Sequence, residues 1–182
     1  GGSQGMSGAP ALTSMAAYKV GSGTVTAAVP YAILEIMEQK LTEVIHCGLP
    51  DEDGFFSKEA GKIVGAMLDR YDVIAIGPGL GRNRSVLPVL IDVLISDKPC
   101  VIDADALYFI PELTDLLRIR KAPTIITPHP GEMARLTGLT IAEILEQPLE
   151  IAKKVAQDLR VITVLKLERT VIADPNGDIY IN

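Results

Sequence analysis

The chain has 182 residues, enough to bury a substantial core in one domain. Asp and Glu number 23 against 17 Lys and Arg, a formal net charge of −6, and aromatics make up 4% with no Trp. That balance argues against a nucleic-acid or anionic-membrane surface and against stacking platforms for bases, and no apolar run approaches the ~20 residues of a membrane span.

Helical and strand patterns then alternate along the chain. Pro10 to Val20 is Ala-rich, with Leu12, Met15, Ala16 and Val20 at helical spacing. Thr24 to Val29 reads as a strand, Tyr31 to Gln39 as a helix opened by Pro30, and Glu43 to Cys47 as a second strand. A polar loop is expected at Asp51-Glu52-Asp53-Gly54. Ser57 is placed as the N-cap of a helix whose apolar face is Ala60, Ile63, Val64, Met67 and Leu68. A strand over 72–76, a helix over 85–95 and a strand over 100–102 follow.

Ala122 to Ile126 is a short buried strand leading into a helix, with Pro130 in its first turn and Gly138 at its end. Thr140 and Glu143 form a capping box. Pro148 opens a longer helix with Leu149, Ala152, Val155, Ala156 and Leu159 on its inner face. Val161 to Lys166 is an apolar strand. Thr170 to Ala173 and Asp178 to Ile181 make a hairpin around Asp174-Pro175-Asn176-Gly177. The order predicts an α/β fold, a mostly parallel sheet covered by helices on both faces.

Three strand ends carry specialised turns: Gly77-Pro78-Gly79-Leu80-Gly81, Asp103-Ala104-Asp105-Ala106-Leu107, and Thr127-Pro128-His129-Pro130-Gly131-Glu132. Ligands of open α/β sheets bind at the carboxyl ends of strands, so these turns point to a small-molecule site. The glycine turn is not a dinucleotide fingerprint, because Arg82 stands where that motif needs Gly, and no P-loop is present. Its glycines fit either a tight turn or close approach of a ligand to backbone, and position favours the ligand. Asp103, directly at its strand end, is a better cleft residue than Asp105, which is expected to cap the next helix. Pro128 and Pro130 hold His129 at its strand end. Glu132 fits a charge at a helix N-terminus. Lys166 can meet a phosphate as a compact charge, against the plainer reading of a charged surface turn.

Cys47 and Cys100 have neither metal-ligand spacing nor a CxxC pattern, so both are expected to be small buried hydrophobes in a reducing cytoplasm. His46 is expected to be a hydrogen-bonded structural residue. No metal site is expected from the two histidines.

These segments, together with Gly2-Ser3 and Gly5-Met6-Ser7-Gly8-Ala9, resemble the ADP/ATP-dependent NAD(P)H-hydrate dehydratases of the ribokinase-like superfamily. The resemblance runs through essentially the whole chain, and the pairing of Asp-Ala-Asp-Ala-Leu with Thr-Pro-His-Pro-Gly-Glu is specific. It implies a ribokinase-like fold and the dehydration of the S epimer of NADHX or NADPHX, with ADP or ATP and Mg2+. It implies substrate binding by Ala9, Gly77, Gly79, Asp103 and His129. Lys166, Leu167, Glu168, Arg169 and Thr170 would bind the nucleotide. A cytoplasmic homo-oligomer, a tetramer in the family, is implied, with no nucleic-acid or membrane partner.

Two departures stand out. Leu167 occupies a position usually taken by Gly, which predicts crowding of the nucleotide. The family's later glycine-rich segment, with the Asp proposed as catalytic base, is not in these residues, nor is the opening strand. The expectation is therefore one incomplete dehydratase domain over 1–182, truncated at both ends and inactive alone. The alternatives are a ribokinase-like kinase for a thiamin-precursor alcohol and a non-catalytic nucleotide-binding fragment.

Overall fold

A computed structural model describes residues 1–182. In chain order the elements are α1 (Gly8–Lys19), β1 (Thr26–Pro30), α2 (Tyr31–Lys40), β2 (Ile45–Leu49), β3 (Asp51–Glu52), β4 (Phe55–Phe56), α3 (Lys58–Met67), β5 (Ile74–Ile76) and α4 (Leu87–Ile95). They continue as β6 (Cys100–Ile102), α5 (Asp105–Phe109), α6 (Thr114–Ile119), β7 (Thr124–Ile126), α7 (Pro130–Thr137), α8 (Ile141–Glu146), α9 (Pro148–Leu159), β8 (Ile162–Leu165), β9 (Val171–Ala173) and β10 (Ile179–Ile181). Two compact units result, Gly1–Met67 with Ile76–Asp92, and Leu68–Ala75 with Val93–Asn182.

In the first unit β1 and β2 pair in parallel, Thr26 opposite Ile45 through Pro30 opposite Leu49. Val29, Ile33, Met37, Leu41 and Val44 form its apolar core with Ala11 and Ala27. Pro30 cannot donate a helical hydrogen bond, and the free amide of Ala32 at the start of α2 donates instead to Asp51 Oδ2 at 2.8 Å.

Three readings of the sequence map differently here. α1 buries Pro10, Ala11 and Ser14, while Leu12 and Val20 are exposed, because the helix lies on its small residues. α3 likewise turns Ala60, Gly61 and Val64 inward and leaves Ile63 exposed. A Cβ on Gly61 would stand 2.7 Å from Pro88, so the close approach of Pro88 excludes a larger side chain. The polar loop at 51–54 is instead a hairpin, Asp51 opposite Phe56 and Glu52 opposite Phe55, turned by Asp53 and Gly54 at φ 52° and 75°. Asp-Gly is the standard residue pair for that tight turn.

Ser57 precedes α3, and its carbonyl accepts from Ala60, but its hydroxyl donates to Glu59 at 2.7 Å. His46 does not meet its expectation. Its Nε2 is buried without a hydrogen-bond partner. Cys47 is only half-buried, on β2.

The second unit carries the six-stranded sheet, ordered β10-β9-β8-β7-β6-β5. β6, β7 and β8 run parallel, with Ile102 opposite Ile126 and Ile126 opposite Thr163, and β9 and β10 add an antiparallel hairpin. α9 packs on β8 and β9 through Ala152, Val155, Ala156 and Leu159. Leu149, in the helix's first turn, is 37% exposed and does not join that face.

Both predicted capping features of this region form. Thr140 and Glu143 close a capping box, and Gly138 ends α7 at φ 76°. Buried Cys100 behaves as expected, since burial pushes its thiol up. No local pattern marks Arg120. Its guanidinium donates to the carbonyls of Val93, Leu94, Ser96 and Lys98, and to Thr124 Oγ1, closing the C-terminal end of α4 and the loop behind it.

Candidate functional site

The glycine turn belongs to the first unit. Gly77, Gly79 and Gly81 have φ of 123°, 67° and 79°, where a side chain is strained. The backbone of Gly79 is approached closely by the chain's own residues. A Cβ there would lie 2.7 Å from the Met6 carbonyl oxygen and 3.2 Å from the Ala9 Cβ. The fully buried Ser3 donates from Oγ to the Gly79 carbonyl at 2.9 Å, and the Gly2 amide donates to the Pro78 carbonyl at 3.0 Å. Ala9 and Gly79, two of the five residues the resemblance assigns to the substrate site, are thus brought together, and Gly77 opens the same turn. An open cleft of about 530 Å³ lies elsewhere in this unit, lined by residues including Glu52, Lys58, Arg84 and Ser85, and it holds none of these residues.

In the second unit the ends of three parallel strands converge. Asp103 follows β6, Thr127 follows β7 and Lys166 follows β8. The ladder continues past the strands, with the Thr127 amide donating to the Ile102 carbonyl at 3.2 Å and the Lys166 amide to the Pro128 carbonyl at 2.9 Å. One oxygen, Asp103 Oδ1, accepts from both Thr127 Oγ1 and Lys166 Nζ, each at 2.7 Å. Burial alone would raise the Asp103 carboxyl. The hydrogen bonds from Lys166 and Thr127, the ammonium charge and the Ala104 amide outweigh it and hold the group below the usual carboxylate range.

Asp105 does not cap α5. The helix begins at Asp105 itself, and the N-cap position is Ala104, with no side-chain cap bond. Ala104 sits at φ 50°, ψ −124°, a strained conformation for a residue with a Cβ. In that turn the Asp103 and Ala104 carbonyls take the amides of Ala106 and Leu107, so the first helical amides have backbone acceptors.

His129 is the N-cap of α7. Its Nδ1 accepts from the amides of Gly131 and Glu132 at 3.0 and 3.3 Å, while Glu132 Oε2 accepts from the His129 amide at 2.9 Å. This reciprocal pair is a capping box with histidine in the place of serine or threonine. With Nδ1 committed to the helix amides, the proton of the neutral ring lies on Nε2. Nε2 lies 3.4 Å from Glu132 Oε1, and the side chain remains 56% exposed. Glu132 therefore has the helix-end role expected of it, and shares it with His129.

The following turn separates its members. Lys166 reaches Asp103, whereas Glu168 and Arg169 are exposed and Leu167 and Thr170 half-buried. Thr170 exchanges both backbone hydrogen bonds with Asn182 at 3.0 Å. Leu167 does not have positive φ, so this backbone accepts a side chain there. Thr127 is the residue that sequence reasoning missed. Its position directly after β7, matching Asp103 after β6, was the available signal.

A family model described as NAD(P)H-hydrate dehydratase matches residues 1–182. The chain belongs to the NAD(P)H-hydrate dehydratase family. It is 44% identical over 184 residues to the bifunctional NAD(P)H-hydrate repair enzyme Nnr of Moorella thermoacetica, covering all of this chain and 35% of that protein. It is 35% identical over 182 residues to the ADP-dependent (S)-NAD(P)H-hydrate dehydratase of Bacillus subtilis, covering all of this chain and 61% of that enzyme. The crystal structure of the ADP/ATP-dependent NAD(P)H-hydrate dehydratase from Bacillus subtilis, co-crystallised with ATP/Mg2+, superposes with TM-score 0.80 at 33% identity, over 100% of this chain and 61% of the other. The fold is ribokinase-like, as the resemblance implied. The chain spans about a third to three-fifths of the length of these relatives.

Proposed function

We propose that the protein carrying this chain dehydrates the S epimer of NADHX or NADPHX, using ADP or ATP, and so restores NADH or NADPH. The observation that carries this reading is family membership along all 182 residues. In the proposed reaction the terminal P–O bond of the nucleotide breaks, a P–O bond forms to the hydroxyl oxygen of the hydrated ring, and the hydroxyl proton passes to the proton acceptor. The C–O bond then breaks, phosphate leaves, a proton is lost from the neighbouring carbon, and the ring double bond returns.

Within this reading Ala9, Gly77, Gly79, Asp103 and His129 contact the hydrated dinucleotide, His129 through the exposed part of its ring, whose Nε2 also lies 3.4 Å from Glu132 Oε1. Lys166 to Thr170 contact the nucleotide, with Lys166 as the phosphate charge. Phosphoryl transfer depends mainly on such positioning and on electrostatic stabilisation. The proton acceptor is carried over as the Asp of the family's glycine-rich segment, which these residues do not include.

No three His, Cys, Asp or Glu side chains group to hold a metal ion. Mg2+ fits as a counter-ion entering on the nucleotide phosphates, an arrangement that ion favours. A cytoplasmic homo-oligomer, tetrameric by the resemblance, belongs to the same proposal, which sedimentation equilibrium tests. No helix is long and apolar enough to cross a membrane.

The deciding experiment supplies NADHX with ADP or ATP and follows NADH absorbance. NADH formation that requires the nucleotide is the expected result. Phosphorylation of a thiamin-precursor alcohol without NADH formation would replace this reading with the kinase.

A further inference from the structure

Lys166, the proposed phosphate ligand, already has an anion in the free chain. Its Nζ lies 2.7 Å from Asp103 Oδ1, and the partners are 63 residues apart in sequence. The contact arises because β6 and β8 flank β7 in parallel, so that their carboxyl ends stand side by side. The ion pair sits at the surface of the sheet edge, with side chains 43% and 31% exposed. Exposed ion pairs contribute little to stability, so it is readily opened. Thr127 Oγ1 donates to the same oxygen.

We propose that Asp103 is an internal competitor for Lys166: it parks the ammonium in the free chain, and the nucleotide phosphates must displace it. This inference rests on the reading of Lys166 as a nucleotide ligand. Asp103 is then a positioning residue that sets nucleotide affinity, and Thr127 tunes it by sharing the carboxylate's charge.

The consequence runs against the usual result of removing a polar site residue. Asp103→Asn should tighten ADP binding by about two- to fivefold, the worth of an exposed ion pair plus relieved repulsion of phosphate. Thr127→Val should weaken it by about two- to threefold, since the carboxylate then depends more on the ammonium. Titration calorimetry of the full chain with ADP would compare these variants with wild type, Lys166→Met and the double variant Asp103→Asn/Lys166→Met.

Tighter binding in Asp103→Asn that disappears in the Lys166→Met background supports the proposal. Unchanged or weaker binding in Asp103→Asn, with wild type still binding ADP, overturns it and leaves the nucleotide site intact. No ADP binding by wild type or Asp103→Asn would sink the nucleotide reading itself. Should Asp103→Asn fail to fold, Thr127→Val decides alone: tighter or unchanged binding refutes the competition.

Discussion

His129 allows the helix-capping and ligand-binding uses of one side chain to be separated. His129→Ala removes the Nδ1 acceptor of the Gly131 and Glu132 amides, while Glu132 keeps its bond to the residue-129 amide. Loss of an N-cap costs 0.5–2 kcal/mol, and with half the capping box left about 1 kcal/mol is expected here. In a chain of this size that lowers Tm by about 2–4 °C. His129→Asn supplies an oxygen at the same position and should regain most of that loss. It does not reproduce the Nε2–H, so it should still raise KM for NADPHX about 2- to 12-fold, the range for one lost hydrogen bond. Urea unfolding and NADPHX kinetics on both variants provide the two readouts. Equal destabilisation of the Asn and Ala variants would refute the capping argument. A wild-type KM in His129→Asn would refute the ligand contact.

Gly79→Ala should destabilise the chain by about 3 kcal/mol, because φ 67° and a Cβ 2.7 Å from the Met6 carbonyl penalise the same residue. A thermal melt matching wild type would show that the N-terminal loop yields freely. Arg120→Met leaves the carbonyls of Val93, Leu94, Ser96 and Lys98 without their donor and should cost about 2–4 kcal/mol in urea unfolding. Arg120→Lys should recover only part, since an ammonium cannot span acceptors as a planar guanidinium does. The folded-state Asp103 carboxyl lies below its ordinary value of 3.8, so its stabilisation is present above that pH and is lost as pH falls through the folded value. The urea midpoint difference between wild type and Asp103→Asn should therefore hold from pH 6 to 5 and fade below about pH 4. A difference that did not shrink at all as the pH fell below 4 would exclude the carboxylate as its source.

Much of this protein was written locally. Strand ends marked by glycine, proline and aspartate, the capping box at Thr140 and Glu143, and the Gly138 stop rest on interactions within four residues, so residue order alone specifies them. The Asp53-Gly54 hairpin was equally local, and its signal lay in a segment read only for polarity. The capping role of His129 could also be read locally, from the Glu three residues later, but histidine is not the usual residue there.

What only the tertiary structure decided is which distant groups meet and which helix face turns inward. Asp103 and Lys166 touch because β7 separates their strands by one place on each side, a relation that no local pattern encodes. Gly79 is constrained by Met6 and Ala9, far away in sequence, so its φ and its neighbours both require glycine. The exposed Leu12 and Ile63 show the converse. Periodicity marks a helix, but the small residues that allow close approach determine the face that packs.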